Sequence, residues 1–211
     1  IAITLTLWSP VTNAAQINFT PSAFSSVEYN DNIFLDSENE NSDYITRAGI
    51  GLRGEILWQK ASVILDYKPS YQWYKDENDQ DYWRHEASGN ARFDFTRNTR
   101  MDLRNTYLRT SSPTDESDYV NEDAPLDGRD VEKYYQNVAT VRLDHQFGER
   151  DNVYLAGRYS RLRNVNASTN SNREENDIYT PSAGLAYWFT HQWGTELEGL
   201  YSHRDLSNSN N

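Results

Sequence analysis

The stretch FTHQWGTELEGLY, residues 189–201, contains the pattern that decides the fold. Its first Phe is followed by a Leu after eight residues and by a Tyr after twelve. The same offsets recur in FTRNTRMDLRNTY, residues 95–107, and in FGERDNVYLAGRY, residues 147–159. Because strand side chains alternate between two faces, even offsets place all three residues on one face. Each stretch therefore predicts a hairpin, in which an aromatic ends one strand, a tight turn follows, and a second strand returns.

Outward from these hairpins, nine segments alternate between apolar and polar residues. One set of positions carries mainly Ala, Gly, Val, Leu and Tyr, and the other carries most of the charge. A charged side chain at the bilayer midplane costs about 2–4 kcal/mol in a barrel, so this segregation favours a lipid-exposed apolar face over a soluble β-sandwich. Pro21 lies in the first segment and predicts a strand end or a sheet edge there. The predicted strands are residues 17–29, 44–56, 61–73, 83–95, 100–107, 135–147, 153–160, 179–189 and 193–201.

Composition narrows the class of protein. The mean hydropathy of the 211 residues is -0.89, and the main body has no run approaching the 18 apolar residues that a transmembrane helix needs. A barrel tolerates this polarity, because only every second strand residue faces lipid. The 15 Tyr and 6 Trp residues are typical of aromatic girdles at two membrane interfaces. Cysteine is absent, which excludes disulfides, thiol catalysis and cysteine-type zinc sites.

The first fifteen residues differ from the rest of the chain. An apolar run, residues 1–8, is followed by the small residues Ala14 and Ala15. This order is typical of the end of a secretory signal peptide cleaved after Ala15. We therefore divide the chain into a signal-peptide remnant, residues 1–15, and the N-terminal part of an outer-membrane β-barrel, residues 16–211.

The connections alternate between short and long, as they do in outer-membrane barrels with short periplasmic turns and longer outer loops. Aromatic residues cluster at both levels. Bacterial single-chain barrels close with an even number of strands, whereas nine are present here. We therefore predict an all-β, antiparallel up-and-down transmembrane β-barrel, with about nine strands present of a larger barrel.

The formal net charge of -12 is concentrated in the first three of the longer connections, residues 30–43, 76–81 and 110–133. These loops could bind Ca²⁺ or Mg²⁺, but they contain no calcium-loop motif, and a solvated acidic surface is the favoured interpretation. The acidity also argues against nucleic acid as a partner. On the polar face, cations and carboxylates are nearly balanced. The cations could select anions in a lumen, but ion pairs between strands are favoured. The predicted lumen-facing cations are Arg47, Arg53, Lys68, Arg84, Arg92, Arg100, Arg104, Arg142 and Arg158.

Catalysis finds little support in the sequence. His85 and His145 fall on the apolar face, and His191 falls in a turn. His203 with Ser202 or Asp205 is a weak candidate for a hydrolase constellation. We predict no catalytic, cofactor-binding or metal-ligating residues.

Several segments resemble a known family. Tyr29-Asn30-Asp31-Asn32-Ile33-Phe34, Gly49-Ile50-Gly51-Leu52 and Gly184-Leu185-Ala186-Tyr187-Trp188-Phe189-Thr190 resemble the outer-membrane β-barrel porins often encoded beside exopolysaccharide and exosortase clusters. The resemblance extends over about 190 residues, from Gln16 onward. It implies a barrel in the cell outer membrane that assists polymer export, and it supplies no catalytic residues.

Two functions remain open at this point. The first is a pore or envelope component linked to exopolysaccharide export. The second is a non-conducting structural or adhesion barrel whose acidic loops bind cations or a partner. The expected partners are outer-membrane lipid and lipopolysaccharide, and polysaccharide or small solutes for a pore. The sequence leaves the oligomeric state open.

Overall fold

The structure is a computed structural model that describes residues 3–4, 15–33, 40–111, 133–165 and 175–207. A short 3-10 helix, Asn78–Gln80, precedes the fifth strand. The strands are β1 (Ile3–Thr4), β2 (Gln16–Asn30), β3 (Asp43–Leu57), β4 (Ala61–Tyr74), β5 (Tyr82–Asp94), β6 (Thr99–Thr110), β7 (Tyr134–Gln146), β8 (Asn152–Asn164), β9 (Glu175–Trp188), β10 (Gly194–Leu200) and β11 (His203–Ser207).

Each long strand pairs antiparallel with its neighbour in sequence, in the order β1 through β10. β10 and β11 both pair with β9 in one continuous register, as Gly194↔Trp188 and His203↔Tyr179 demonstrate. They are therefore one strand with an interruption. The interruption lies beside Pro181, which has no N–H to donate. The nine predicted long strands and their up-and-down order are confirmed, and in the described residues no ladder joins the first and last strands.

Two further prolines also lie within strands. Pro69 is in β4, and the β3–β4 ladder has no paired residues between Gly49↔Ser70 and Leu52↔Tyr67. Pro21 is in the middle of β2, which pairs fully with β3 but meets only the two residues of β1 on its other side. Within the described chain β2 is thus nearly an edge strand, as a proline at this position predicts.

The recurring Phe–Thr dipeptide closes two of the tight turns. Phe189 N–H and Thr190 N–H both donate to Trp193 O, at 3.0 and 3.1 Å. The Thr190 hydroxyl oxygen accepts from the N–H groups of Gln192 and Trp193. The first such turn repeats this with the Thr96 hydroxyl, which accepts from Asn98 N–H at 3.1 Å. Threonine therefore stabilises the turn locally by satisfying backbone donors that the strand ladder leaves unpaired.

The pairing registers define two faces of the sheet. The apolar face includes Phe19, Ile50, Leu65, Ala91, Leu103, Val141, Leu155 and Leu185. The polar face includes Thr20, Arg53, Asp66, Arg92, Asp102, Arg142, Tyr154 and Glu198.

In a soluble protein the apolar face of a sheet is buried and the polar face is exposed, and here the pattern is reversed. Every buried residue on the described strands lies on the polar face, whereas large hydrophobic side chains on the apolar face are exposed. Leu155 is 60 % exposed and Ile17 is 57 % exposed. Soluble monomers rarely leave apolar patches of such extent uncovered. The apolar face therefore requires an apolar environment.

Among the described residues, no helix is long and apolar enough to cross a membrane, and this finding has no bearing on crossing by strands. Of the predicted signal-peptide remnant, only Ile3, Thr4 and Ala15 lie within the described residues. The acidic residues predicted for the third loop, residues 112–132, lie outside them. The division of the chain at residue 15 thus stays a prediction.

Candidate pore-lining face

The nine cations singled out in the sequence all lie on the polar face, but they do not form one site. Each strand ends at a short turn on one side and at a longer loop on the other, so the face has a turn half and a loop half. Arg53, Arg92, Arg100, Arg104 and Arg142 lie in the turn half. Arg47 and Arg84 lie in the loop half, and Lys68 and Arg158 lie between the two halves.

Ion pairs fill the turn half. Arg53 Nε lies 2.7 Å from Glu55 Oε1, and its Nη1 lies 3.2 Å from Asp66 on the next strand. Glu55 also accepts from Asn18 Nδ2 at 3.4 Å. The side chain of Arg53 remains 45 % exposed. The first group of pairs therefore joins β2, β3 and β4 while staying open to solvent.

The same arrangement continues across the next strands. Asp102 lies between two arginines, 2.8 Å from Arg92 Nε and 3.0 Å from Arg100 Nε. Arg142 binds both oxygens of Asp144 through its Nε and Nη2 atoms, at 2.8–3.0 Å. We call these three groups the ion-pair rows. In them four arginines meet the four carboxylates of Glu55, Asp66, Asp102 and Asp144.

The ion-pair rows surround a concavity of about 550 Å³. Arg53, Asp66, Arg92, Asp102 and Arg142 contribute to its lining, together with Arg104, which donates to Asn90 Oδ1 at 2.9 Å. The lining contains four arginines and two aspartates, and Glu55 and Asp144 pair with two of these arginines from beside it. A solute in this space would meet many hydrogen-bonding groups, and the paired charges would largely cancel.

The loop half has a different construction. Tyr82 donates to Gln72 Oε1 at 2.9 Å, and Thr110 donates to the Tyr82 hydroxyl oxygen at 3.3 Å. Gln72 Nε2 donates to Tyr74 at 3.3 Å, and Arg84 donates to Thr110 at 3.4 Å. All five side chains are buried. We call Gln72, Tyr74, Tyr82, Arg84 and Thr110 the buried network.

A buried carboxylate fixes the loop that follows β4. Asp43 is 1 % exposed, and its two oxygens accept from the N–H groups of Tyr44, Asp76 and Glu77 at 2.6–3.2 Å. Beside it, Ile33, Ile45, Tyr74 and Tyr82 form an apolar cluster. The loop end is therefore held by packing and by satisfied polar groups together.

Two glycines on the polar face lie beneath aromatic rings of a neighbouring strand. A Cβ on Gly49 would lie 2.8 Å from Phe24 and 2.5 Å from the Pro69 carbonyl oxygen. A Cβ on Gly184 would lie 2.2 Å from the ring of Tyr154. The Tyr154 ring also contacts Arg142, whose guanidinium carbon lies 3.7 Å from the ring centroid. Sequence reasoning missed both pairs, although the glycine opposite an aromatic in each register is a signal that pairing rules could use.

The apolar face has an aromatic band at each end. At the turn end, Trp58, Phe95, Phe147, Phe189 and Trp193 are exposed. At the loop end, aromatic residues pair across strands, as Tyr107 does with Tyr135 and Tyr159 with Tyr179, at centroid distances of 6.2 and 5.0 Å. Both clusters were expected from the sequence, and they lie where it places them.

The weak hydrolase constellation is not assembled. His203 Nε2 lies 2.9 Å from Asp205 Oδ1, but Ser202 instead accepts from the Thr180 hydroxyl at 3.4 Å. Within the described residues, no group of three or more His, Cys, Asp or Glu side chains is placed to hold a metal ion.

Comparison with known proteins identifies the class to which this sheet belongs. Residues 18–127, from β2 through β6, match the family model described as "Putative beta-barrel porin 2". The chain belongs to this porin family, as its resemblance to outer-membrane porins predicts. No curated protein and no solved structure matches the chain.

Proposed function

We propose that the complete protein is an outer-membrane pore whose lumen is lined by the polar face. The observation that carries this proposal is the inverted burial of the sheet, with an exposed apolar face and a concave, charged opposite face. Lipid would cover the first face, and water would fill the second. The short turns would face the periplasm, and the long loops would face outward.

The ion-pair rows indicate what the lumen would pass. Paired charges of opposite sign cancel at a distance, so the wall offers weak ion selectivity but many donors and acceptors. This suits neutral or weakly charged polar solutes. A saccharide polymer fits that description, which agrees with the resemblance to porins encoded beside exopolysaccharide clusters. We propose such a polymer, or small polar solutes, as the cargo.

The proposal also includes the closure of this sheet into a barrel. An open sheet in lipid would leave a row of unpaired backbone groups along β10 and β11. We therefore propose that residues 16–211 are the N-terminal part of a larger barrel, with residues 1–15 as the remnant of a secretory signal.

Planar-bilayer recording of the full-length protein tests the pore. We expect steady channels with a reversal potential near zero in a salt gradient. Asp102→Asn would leave Arg92 and Arg100 without their shared carboxylate, so the reversal potential should shift toward anion selectivity. Asp205→Asn removes the same charge from the apolar face and should leave the reversal potential unchanged. Equal shifts in both variants would contradict a lumen lined by the polar face.

A non-conducting structural barrel is the second candidate, and the buried network favours it. Buried side chains on the polar face would narrow the loop half of the lumen. A well-folded full-length protein that inserts into vesicles but carries no current would support this function and would exclude the pore.

A further inference from the structure

The apolar face contains a groove that conduction does not require. Its volume is about 640 Å³, and it crosses the face from β4 to β9. Small residues form its floor, namely Gly89, Ala91, Ala139 and Gly157. Larger apolar side chains, among them Val63 and Leu65, line its margin. Its only amide side chain facing this side, Asn105, exchanges hydrogen bonds with Asn137 at 3.1–3.2 Å and so needs no outside partner.

Two cations lie beyond the loop end of this groove. Arg109 is opposite Tyr135 in the β6–β7 ladder, on the apolar face. Lys133 precedes Tyr135 by two residues, so the two cations are diagonal neighbours, roughly 7–8 Å apart at their backbones. In the described part of the chain, neither side chain has a hydrogen-bond or ion-pair partner.

The cations on the adjacent strand differ in this respect. Arg161 and Arg163 of β8 also lie on the apolar face, but both bind the carboxylate of Asp177. Their charge is therefore largely compensated, whereas no described carboxylate pairs with Arg109 or Lys133. Among the described residues, these two side chains thus form a local positive charge on a chain whose formal net charge is -12.

An aromatic pair separates the groove from the cations. Tyr107 and Tyr135 are neighbours with ring centroids 6.2 Å apart, and tyrosine favours the boundary between hydrocarbon and headgroups. Along β6, Asn105 at the groove, Tyr107 and Arg109 follow one another on the same face, over roughly 13 Å. From the centre of the face to its loop end, the surface is thus apolar, then interfacial, then cationic.

This order matches the structure of a phosphorylated lipid. We propose that the face binds a phosphate-bearing lipid of the outer leaflet, with an acyl chain in the groove and its phosphate on Arg109 and Lys133. Charge complementarity supports this occupant, because Arg and Lys are the usual protein partners of phosphate and the acidic chain elsewhere repels it. A second copy is disfavoured, because a two-fold interface would bring the same uncompensated cations together. The proposal depends on the membrane orientation proposed above and does not depend on conduction.

Native mass spectrometry of the full-length protein in non-ionic detergent tests the headgroup site. The probes are dimyristoyl phosphatidate, dimyristoylglycerol with the same chains, and inorganic phosphate. We expect retention of phosphatidate alone. Arg109→Gln combined with Lys133→Gln should weaken it roughly 30-fold, the product of two ordinary cation contributions. The matched control, Lys60→Gln with Arg97→Gln, removes two exposed cations at the turn end and should bind as the wild type does.

A second variant tests the groove. A Cβ on Gly157 meets only Val141, at an ordinary 3.6 Å, so Gly157→Leu should fold while filling the groove and should lower phosphatidate retention. Gly199→Leu, at a glycine with no atom within 4 Å of its Cβ, is the control.

Three outcomes would overturn the lipid site. They are unchanged binding by the Arg109 and Lys133 double variant, equal retention of dimyristoylglycerol, and a wild-type dimer that Gly157→Leu dissociates without added lipid. Currents recorded from the same variants should match those of the wild type. A wild-type protein without current would contradict the pore and leave the lipid site standing.

Discussion

The two halves of the polar face differ in how their polar side chains find partners and in how exposed those side chains are. In the turn half, arginines and carboxylates pair while their side chains stay exposed, as Arg92 does at 53 % and Arg100 at 48 %. In the loop half, Gln72, Tyr82 and Thr110 are at most 5 % exposed and satisfy one another by hydrogen bonds. Exposed ion pairs contribute little to stability, whereas a buried polar group without a partner costs about 1–3 kcal/mol.

This difference separates two properties of the protein. Substitutions in the loop half should change stability first, because buried donors and acceptors lose their partners there. Substitutions in the turn half should change stability little, and under the proposed function they should change ion selectivity instead. The following predictions use urea unfolding of the full-length protein refolded into vesicles, unless another measurement is named.

The largest effect is expected where the halves meet. Gly49→Val would place a branched side chain against the Pro69 carbonyl oxygen, a backbone atom 2.5 Å from the new Cβ, and against Phe24. We expect the free energy of unfolding to fall by about 3 kcal/mol, which is at the upper end of the range for overpacking. Gly54→Val, on the same strand with no atom within 4 Å, controls for the change of residue type. Equal losses in both variants would show that the contact of Phe24 with Gly49 does not matter.

Removal of the buried carboxylate at the loop end should cause a smaller loss of stability. Asp43→Ala deprives the N–H groups of Tyr44, Asp76 and Glu77 of their acceptor, and we expect about 2 kcal/mol of destabilisation. Amide hydrogen exchange at Asp76 and Glu77 should also accelerate. Asp79→Ala, in the exposed 3-10 helix of the same loop, should change neither quantity. Slow exchange at Asp76 in the Asp43→Ala variant would exclude this role for the carboxylate.

The contrast between the halves is tested directly by two single substitutions. Tyr82→Phe removes the hydroxyl that joins Gln72 to Thr110 and should destabilise the protein by about 1 kcal/mol. Arg92→Gln breaks a pair in the turn half and should change stability by less than about 0.5 kcal/mol. Tyr135→Phe, on the apolar face, should be neutral. A larger loss from Arg92→Gln than from Tyr82→Phe would reverse the comparison.

The smallest effect should depend on pH. Beyond the Tyr159–Tyr179 pair at the loop end, Asp177 is partly desolvated, which alone would raise its pKa. Hydrogen bonds from Arg161, Arg163 and Tyr159 outweigh desolvation and lower the pKa of this carboxyl. A lowered folded-state pKa means that the stabilisation is fully present above about pH 4, the unfolded value, and disappears as the pH falls through the folded value.

Thermal unfolding between pH 6 and pH 2 measures this contribution. Asp177→Asn removes the titrating carboxyl, so the informative quantity is the difference in stability between the wild type and this variant at each pH. We expect that difference to favour the wild type at pH 6 and to shrink toward zero at the lowest pH. A difference that is constant with pH would show that the charge of Asp177 contributes nothing.

Much of the fold could be predicted because its cause is local. The offsets of eight and twelve residues after Phe95, Phe147 and Phe189 depend only on the alternation of side chains along a strand. The same alternation put all nine predicted cations on one face, and in antiparallel neighbours joined by tight turns the registers then follow from turn length. The interruption between β10 and β11 also has a cause that the sequence reveals, because the proline at position 181 has no N–H to donate to the partner strand.

The candidate site could be predicted only in part. The sequence indicates a polar face with balanced charge, but not that Asp102 lies between Arg92 and Arg100 while Gln72 and Tyr82 are buried. Cross-strand neighbours come from segments separated along the chain, and their burial depends on what the folded sheet places against them. The groove near Arg109 has the same origin, because its floor combines small residues from three strands.

The sequence by itself determined the nine strands, their alternating connections and the composition of each face, because these follow from a period of two and from turn chemistry. Only the tertiary structure decided which polar side chains of the described strands are buried, which of their charges are paired and which of their cations have no described partner. Those properties depend on distances between residues that are remote in sequence, and residue-by-residue alternation carries no information about such distances.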